Sequence, residues 1–295
     1  MRKLEDDHVS FLIVENGYSK TLDHIVHQFR ADMPDSKIEY HNEGTPGISA
    51  VRNFALNHAI TQGYDLLVFV DDDETVDANW LVSLLAERDR SDFDIVGSPV
   101  RPMPYQEDLT FMQKLVWSGI ERSGLKSERK CKLKCAAGKE HSIKIATGSW
   151  MGKLSFFRET ELRFDQRLGL TGGEDWNLWL KAKELGAKTG WASDAIAYET
   201  VPASRLTLSY HFRRNRDHNI TEFTARYREN PKKALKKLPI KFLGRGFKVI
   251  GAICSTPFLG GRGLISTATA LGGFVGLIQA CYGRSSLHYA ETTGY

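Results

Sequence analysis

An alternation of short apolar runs with segments of helical periodicity, over residues 9–196, constrains the fold most. Val9–Val14 (VSFLIV) and Asp65–Val70 (DLLVFV) are aliphatic and end at turn or acidic residues, which predicts buried strands. Gly47–Ile60, Asn79–Glu87 and Trp176–Leu185 repeat apolar residues every three or four positions, which predicts helices. Alternating strands and helices predict an α/β domain with a mostly parallel sheet, where ligands bind beyond the carboxyl ends of the strands.

The remaining segments carry weaker patterns. Ser49 suits an N-cap for the helix at Gly47–Ile60. Tyr105–Lys144 lacks a clear period, which predicts a loop with short helices over the ligand site. The other expected elements are a helix at Leu22–Phe29 and strands at Ile38–His41, Asp94–Val100, Ile145–Phe157 and Lys188–Ile196.

Four consecutive acids follow the apolar run Asp65–Val70 directly. Asp71, Asp72, Asp73 and Glu74 repel one another at a strand end unless a cation or ligand lies there. Carboxylates with bridging phosphates are the usual protein environment of Mg²⁺, and Mn²⁺ prefers similar ligands. A metal at this position would neutralise a diphosphate leaving group. The alternative is a solvated turn whose acids are favoured by a helix dipole.

A second candidate site is the run Gly172-Gly173-Glu174-Asp175, in front of the helix Trp176–Leu185. The two glycines allow a ligand to approach the backbone closely. Asp175 would be able to accept a proton from an acceptor hydroxyl as a general base. The alternative is that the acids only cap the helix, which Asp does very often.

Arg52 and Asn53 form a third candidate. They lie early in the predicted helix Gly47–Ile60, where side chains can face a nucleotide bound at the edge of the sheet. The alternative is that they belong to an exposed polar face of that helix. The residues alone leave both interpretations open.

The C-terminal third combines a basic stretch with an apolar one. Arg205–Lys248 contains thirteen Lys and Arg residues against three acids, which indicates a polyanionic partner. Gly263–Gly283 carries no charge over 21 residues, which is long enough to cross a bilayer. This order favours an anionic membrane surface over nucleic acid, whose binding modules interleave aromatic with basic residues. An in-plane or re-entrant hairpin, one span, and a helical pair packed on the rest of the chain all remain open.

Taken in order, five segments resemble bacterial family 2 glycosyltransferases of GT-A fold, nearest to exopolysaccharide glucosyltransferases of the succinoglycan type. The ordered set covers roughly residues 9–215 and is much more specific than any one piece. It implies a catalytic domain over 1–204, behind which the charge and hydropathy patterns predict a basic interfacial helical segment over 205–248 and an apolar, Gly-rich membrane-associating segment over 249–295. The matching segments are PGISAVRNFAL (46–56), FVDDDETVDANWL (69–81), ATGSWMG (146–152), RFDQRLGLTGGEDWNLWLKAKELGAK (163–188) and ETVPASRLTL (199–208).

The resemblance assigns roles to the acids. Asp71 and Asp73 match the DxD motif, in which Asp71 would contact the ribose or base. Asp73, with Asp71, would hold a Mn²⁺ or Mg²⁺ ion on the diphosphate. Asp175 matches the acid of the ED motif and would be the catalytic base, while Glu174 would orient it or bind the acceptor.

The same resemblance implies a set of donor-binding residues. Glu15 stands where family members usually place an Asp that recognises uracil, and this departure puts base recognition in doubt. Thr147, Gly148 and Ser149 match the strand under the donor sugar. The full donor-binding set is Glu15, Arg52, Asn53, Asp71, Asp72, Thr147, Gly148 and Ser149.

The implied activity is inverting transfer of a hexose from a nucleotide-sugar, with UDP favoured, to a lipid-linked or polysaccharide acceptor. The implied location is the cytoplasmic face of the plasma membrane, with peripheral or monotopic attachment or one span. Four cysteines in 295 residues fit a reducing compartment. Two alternatives remain: an inactive sugar-nucleotide-binding scaffold of the same fold, and a nucleotidyltransferase that also uses strand-end acids with a metal.

The N-terminal motif differs from the family pattern. Val9–Val14 and the following Glu15 match the family's second strand, whereas the family's first strand has no counterpart ahead of them. One hypothesis is that the natural protein starts roughly one strand and one helix earlier. The rival hypothesis is that Val9–Val14 itself serves as the first strand, with the motifs compressed behind it.

Overall fold

The computed structural model describes residues 9–18, 20–169 and 172–284. The chain divides into two compact units. The first unit comprises residues 1–100 and 131–197, and the second comprises residues 101–130 and 198–295. The expected segments 205–248 and 249–295 therefore fall together in the second unit, with part of the region expected to be a loop.

The described residues form nine strands and ten helices in an α/β order, which confirms the expected fold class. The strands are β1 (Ser10–Asn16), β2 (Lys37–Glu43), β3 (Leu66–Val70), β4 (Glu74–Val76), β5 (Ile95–Gly97), β6 (Val100–Pro104), β7 (Ser149–Lys153), β8 (Thr189–Trp191) and β9 (Ala197–Val201). The helices are α1 (Asp23–Asp32), α2 (Ile48–Thr61), α3 (Trp80–Ser91), α4 (Phe111–Ala136), α5 (Leu154–Thr160), α6 (Glu174–Glu184), α7 (Leu208–Glu229), α8 (Pro231–Lys236), α9 (Leu238–Leu259) and α10 (Gly261–Cys281).

The first unit is organised around a four-stranded sheet in the order β3–β7–β5–β8. Strand β7 runs antiparallel to both β3 and β5, whereas β5 and β8 are parallel, so this sheet is mixed rather than mostly parallel. Strands β1 and β2 form a separate parallel pair. The expected ligand position beyond the end of β3 is kept, because β3 still leads directly into the acidic run.

Apolar side chains cover both faces of this sheet. Successive side chains of a strand point to opposite faces. Accordingly, Trp150 of β7 and Ile95 of β5 pack into one buried cluster with residues of α2, α5 and α6. Met151 and Val96 pack into a second cluster with residues of α3. The helices that carry Arg52 and Glu174 are thus fixed against the sheet by a shared core.

Some local predictions are wrong. Residues 111–136 form one long helix, α4, in place of the expected loop and short helices. The expected strand Ile145–Phe157 is a strand only over β7 and then continues as α5. The N-cap of α2 is Gly47, with φ of 112°, while Ser49 is buried and its hydroxyl donates to Asp165 O at 3.0 Å. The single strands expected at 94–100 and 188–196 are shorter, with β6 and β9 as separate strands.

Strands β1 and β3 are only partly covered. Within the part of the chain that the structure describes, β1 is hydrogen-bonded to β2 alone, and β3 to β7 alone. Both strands are aliphatic, yet nearly all of their side chains are only half-buried. A further strand along the free edge of either would cover these side chains and pair the edge. An additional strand ahead of β1 stays a prediction.

The second unit is mainly helical, with α10 packed closely against α7. A Cβ atom added at Gly272 would lie 2.2 Å from Phe212 O, and one at Gly276 would lie 2.3 Å from Arg216 O. These two glycines, four residues apart on α10, therefore form the contact with α7, where only glycine lets the two backbones approach so closely. Among the described residues, α10 is the one helix that is both long enough and apolar enough to cross a membrane.

Candidate functional site

The acidic run turns back on itself at the end of β3. The pairing of β3 with β7 sets Val70 opposite Ser149, which brings Asp71 alongside Gly148. The Glu74 N–H donates to Asp71 O at 3.1 Å, and the Asp71 N–H donates to a Glu74 carboxylate oxygen at 3.3 Å. The acids thus form a tight turn rather than a loose solvated loop.

Gly148 is the residue against which this turn closes. A Cβ atom at Gly148 would lie 2.4 Å from Glu74 Oε1 and 3.4 Å from Asp71 Oδ2. Any larger residue would displace the Glu74 carboxylate, since real Cβ atoms essentially never approach another atom within 3.0 Å, whereas the distance to Asp71 is an ordinary contact. The requirement for glycine in the expected donor strand therefore has a local physical cause.

Arg52 joins the acidic turn to the second acidic motif. Its guanidinium donates to Asp71 Oδ1 at 3.1 Å and to Glu174 Oε1 at 2.6 Å. Arg52 comes from the second turn of α2, and its side chain is almost completely buried. A planar guanidinium with several donors can hold two carboxylates at once, which a lysine ammonium does less well. Three elements distant in sequence thus meet at one cation.

Glu174 is the buried acid of this network. Burial raises the pKa of its carboxyl group, while the Arg52 charge opposes that shift. Its second oxygen, Oε2, is buried and accepts no hydrogen bond within the protein. Buried polar atoms of this kind are uncommon and call for an explanation such as a bound ligand or ion.

Asp175 stands next to Glu174 at a helix start that depends on glycine. Gly172 and Gly173 have φ of 78° and 90°, a conformation that other residues rarely adopt. Gly173, not an acid, is the N-cap of α6, so capping alone does not explain the two carboxylates. Asp175 is half-buried, and its Oδ1 accepts the Trp176 N–H at 2.6 Å. A Cβ atom at Gly173 would meet nothing within 4 Å, which leaves the backbone open to a ligand.

The sequence did not predict the aromatic surface that lies beside Asp175. Trp176 is partly exposed and stacks on Trp179, with ring centroids 5.0 Å apart. The Lys144 ammonium lies 4.5 Å from the Trp176 ring centroid, in cation–π geometry. The only signal in the sequence was the position of Trp176 directly after the acidic pair.

Two expected donor-binding residues have their polar atoms engaged elsewhere. Asn53 donates to Phe164 O at 2.9 Å and accepts the Phe164 N–H at 2.8 Å, so its amide fixes the segment that follows α5. The hydroxyl of Ser149 accepts from Trp80 Nε1 at 2.8 Å and also bonds to Ser98. Both side chains are buried, which is the geometry of supporting residues. Their contact with a donor stays a prediction.

Of the other expected residues, some lie at the acidic turn and one does not. Thr147 is buried directly before Gly148. Asp73 is half-buried in the acidic turn, while Asp72 is exposed. Glu15, at the end of β1, is bound by Thr21 and Tyr40, and these hydrogen bonds lower the pKa of its carboxyl group. The structure brings Arg52, Asp71, Gly148 and Glu174 together; it shows no contact that joins Glu15 to them.

The acidic turn is chemically suited to a hard divalent cation. Asp71 Oδ2 and Glu74 Oε1 converge over Gly148, in a cradle that a Cβ atom would fill. Asp73 is a further carboxylate in the same turn and is half-buried there. Oxygen-only donors of this kind suit Mg²⁺ or Mn²⁺. The residues present therefore fit the expected metal.

The family of the chain follows from comparison with known proteins. A family model for glycosyl transferase family 2 matches residues 1–150. Succinoglycan biosynthesis protein ExoM of Rhizobium meliloti (strain 1021) is 26% identical over 199 residues, which are 68% of this chain and 59% of ExoM. The chain thus spans somewhat more than half the length of this relative.

The chain is also similar to two solved structures that contain uridine nucleotides. S. aureus TarS in complex with UDP-GlcNAc aligns with a TM-score of 0.44 and 16% identity, over 72% of this chain and 57% of TarS. GalNAc-T7 with UDP, GalNAc and Mn²⁺ aligns with a TM-score of 0.45 and 14% identity, over 70% of this chain and 41% of GalNAc-T7. The assignment rests on the family model, which matches half of the sequence: the chain belongs to glycosyl transferase family 2.

Proposed function

We propose that this chain is an inverting glycosyltransferase that moves a hexose from a UDP-linked donor to a lipid-linked or polysaccharide acceptor. One observation carries the proposal: Arg52 connects the acidic turn after β3 with the acidic start of α6. A transferase needs a group for the donor diphosphate beside a base for the acceptor, and this network holds candidates for both. The relatives support the substrate class, since ExoM acts in succinoglycan biosynthesis and TarS was solved with UDP-GlcNAc.

The donor would lie over the acidic turn and β7. Asp71, with Asp72, would contact the ribose or base, and Asp73 with Asp71 would hold the metal. Thr147 and Gly148 would line the floor under the donor sugar. A bound Mn²⁺ or Mg²⁺ would supply positive charge that offsets the negative charge of the leaving diphosphate. Glu15, tied to Thr21 and Tyr40, would have to change partners to bind uracil.

The acceptor would lie against the start of α6. Asp175 would take the proton of the acceptor hydroxyl while that oxygen bonds to the anomeric carbon. The bond between the anomeric carbon and the diphosphate oxygen breaks in the same step, so the anomeric configuration inverts and the electron pair leaves with the diphosphate. Trp176 follows Asp175 directly and is partly exposed, so its apolar ring edge would be available to a bound sugar.

The metal assignment predicts a loss of metal dependence in Asp73→Asn. Mn²⁺ should tighten binding of UDP to the natural chain about tenfold or more, equivalent to about 1.4 kcal/mol. In Asp73→Asn this gain should largely disappear, because the neutral amide attracts a cation less strongly. Isothermal titration of UDP with and without Mn²⁺ measures both. The matched control is Asp194→Asn, an exposed acid of the same unit; an unchanged Mn²⁺ effect in Asp73→Asn would refute the assignment.

We further propose that α9 binds an anionic membrane surface in the plane of the bilayer. Ile240, Leu243, Phe247 and Ile250 are 74%, 65%, 72% and 59% exposed, and their spacing of three and four places them on one face of α9. A cavity of about 740 Å³ in the same unit is lined by Arg245, among other polar groups. An apolar stripe on a basic helix suits insertion among lipid headgroups. Packing of α10 along the charged helix α7 favours this arrangement over a span.

The membrane proposal predicts that Phe247→Glu weakens binding to vesicles containing anionic lipid by about tenfold or more, since burying a Phe stabilises by about 1.5–3 kcal/mol. Co-sedimentation with such vesicles measures the effect. Phe111→Glu is the matched control, because Phe111 is 78% exposed but lies outside the α9 stripe. Equal losses in both variants would show that the stripe has no special part in binding.

A further inference from the structure

A cluster outside the candidate site contains two imidazoles and a carboxylate. Glu39 and His41 are alternate residues of β2, so they point to the same face of that strand. His58 comes from the last turn of α2, which packs over that face. All three side chains are partly or largely covered, with exposed fractions of 25%, 38% and 15% respectively.

Both imidazoles face the same carboxylate oxygen. His41 Nε2 lies 3.4 Å from Glu39 Oε2, and His58 Nε2 lies 3.2 Å from that oxygen. In a tetrahedral zinc site, with Zn–N and Zn–O near 2.0–2.1 Å, neighbouring ligand atoms are ~3.3 Å apart. The three ligand atoms all lie within 4.8 Å of one another. A side-chain adjustment would therefore bring the two imidazole nitrogens to the separation that a tetrahedral site needs.

The carboxylate is oriented by contacts that leave one oxygen for the imidazoles. The Lys37 ammonium lies 2.7 Å from Glu39 Oε1 and donates to the Tyr64 hydroxyl at 3.3 Å. Lys37 thus fixes the carboxylate, as outer partners of metal ligands commonly do. These contacts, with the hydrogen bond to Lys37 as the largest, hold the pKa of Glu39 down at about 2.

His58 provides the second, independent observation. Its Nε2 atom is buried yet makes no hydrogen bond of acceptable geometry, although it faces Glu39 at 3.2 Å. The ring is stacked on Phe54, with centroids 6.1 Å apart, so the side chain is held in place by packing. A buried nitrogen aimed at a carboxylate without a hydrogen bond suits a ligand position.

We propose that Glu39, His41 and His58 bind a Zn²⁺ ion that cross-links β2 to α2. Two imidazoles and a carboxylate suit zinc or a similar transition metal, whereas Mg²⁺ and Mn²⁺ prefer oxygen ligands. The site is therefore distinct in chemistry from the acidic turn after β3. Three protein ligands leave the fourth tetrahedral position to a water molecule. The ion would tie the β1–β2 pair to the helix that carries Arg52.

Zinc content measured in the intact protein tests the proposal. The chain would be dialysed against buffered free Zn²⁺ with excess Mg²⁺, added to compete for the acidic turn, and its zinc measured by elemental analysis. We expect His58→Gln and His41→Gln each to hold one equivalent less than the natural chain. His24→Gln, which removes an exposed histidine of α1 in the same unit, should hold as much as the natural chain.

Thermal unfolding gives a second readout that does not depend on activity. Zn²⁺ should raise the melting temperature of the natural chain and of His24→Gln, because a ligand that binds only the folded state stabilises it. Zn²⁺ should not raise the melting temperature of His41→Gln. His41 is the most exposed of the three ligands, so its substitution should disturb the fold least. Equal zinc content in all four proteins would overturn the proposal and leave an ion-pair cluster without metal. A loss of zinc in His24→Gln equal to the loss in His58→Gln would also overturn the proposal.

Discussion

Asp175→Asn is expected to lower kcat by about 10²–10⁴-fold, the usual contribution of a general base. The amide cannot accept the proton of the acceptor hydroxyl at neutral pH. Its oxygen can still accept the Trp176 N–H that Asp175 Oδ1 now binds, so the start of α6 should keep its conformation. The dissociation constant of the donor should change by less than about twofold, because the lost interaction belongs to the reacting state.

Two measurements on the same variant decide the interpretation. Steady-state transfer gives kcat, and titration with UDP gives donor affinity; Asp194→Asn, an exposed acid, serves as the control for both. Loss of transfer with unchanged donor binding would also exclude the inactive scaffold of the same fold, because a scaffold has no turnover to lose. Equal activity in Asp175→Asn and the natural chain would show that another group is the base.

Arg52→Met is expected to destabilise the first unit by about 3–5 kcal/mol, the usual cost of leaving one partner of a buried ion pair behind. Glu174 would remain buried without its cation, and Asp71 would lose the same contact. Methionine fills much of the same volume, so the loss reports charge rather than a cavity. Urea unfolding of the purified chain measures the effect.

The pH dependence of this loss follows from the pKa of Glu174. Burial raises that pKa already, and removing Arg52 removes the opposing influence. With a raised folded-state pKa the folded state binds more protons than the unfolded state, so stability falls as pH rises through the range between the two pKa values. The penalty of Arg52→Met should therefore be larger at pH 7 than near pH 5.

A second substitution separates charge from geometry. Arg52→Met combined with Glu174→Gln should recover about half or more of the lost stability, because no unpaired buried charge remains. Arg90→Met is the control: Arg90 pairs with Glu87 but is 55% exposed, so its loss should cost at most about 1 kcal/mol. If the double variant recovers nothing, lost packing rather than the Glu174 charge explains the destabilisation.

The parts of the fold that follow from short-range pattern were predictable. Helix α2 was expected at 47–60 and lies at 48–61, because its buried small and aliphatic residues repeat at helical spacing. Strand β3 was equally clear, since five apolar residues end at consecutive acids. The two acidic motifs were found for the same reason: the chemistry of each is concentrated in a few adjacent residues.

Long-range and context-dependent features were not predictable. Helix α4 has only two buried residues, so little of its sequence shows the period of a packed helix. Residues 154–160 are rich in aromatic residues typical of strands, yet they form α5 because Phe157 fills the core from a helix. The bridge from Arg52 to Glu174 spans 122 residues, and a single sequence carries no signal for such a pair.

In the candidate site, the sequence predicted the motifs but not the direction in which each side chain points. Asn53 and Ser149 were expected to face the donor, and the structure gives both buried partners within the protein. Polar residue type and position in a motif do not reveal which way a side chain points. Conversely, the glycine requirement at position 148 became clear only when the carboxylates of Asp71 and Glu74 were found against it.

The most direct test of the proposed activity is nucleoside diphosphate release from a panel of sugar nucleotides, with and without Mn²⁺, using this chain in detergent. Metal-dependent release from a UDP-linked hexose, lost in Asp73→Asn and Asp175→Asn, is the predicted result. Silence across the panel, or release of pyrophosphate from a nucleoside triphosphate instead, would contradict the assignment of this site to glycosyl transfer.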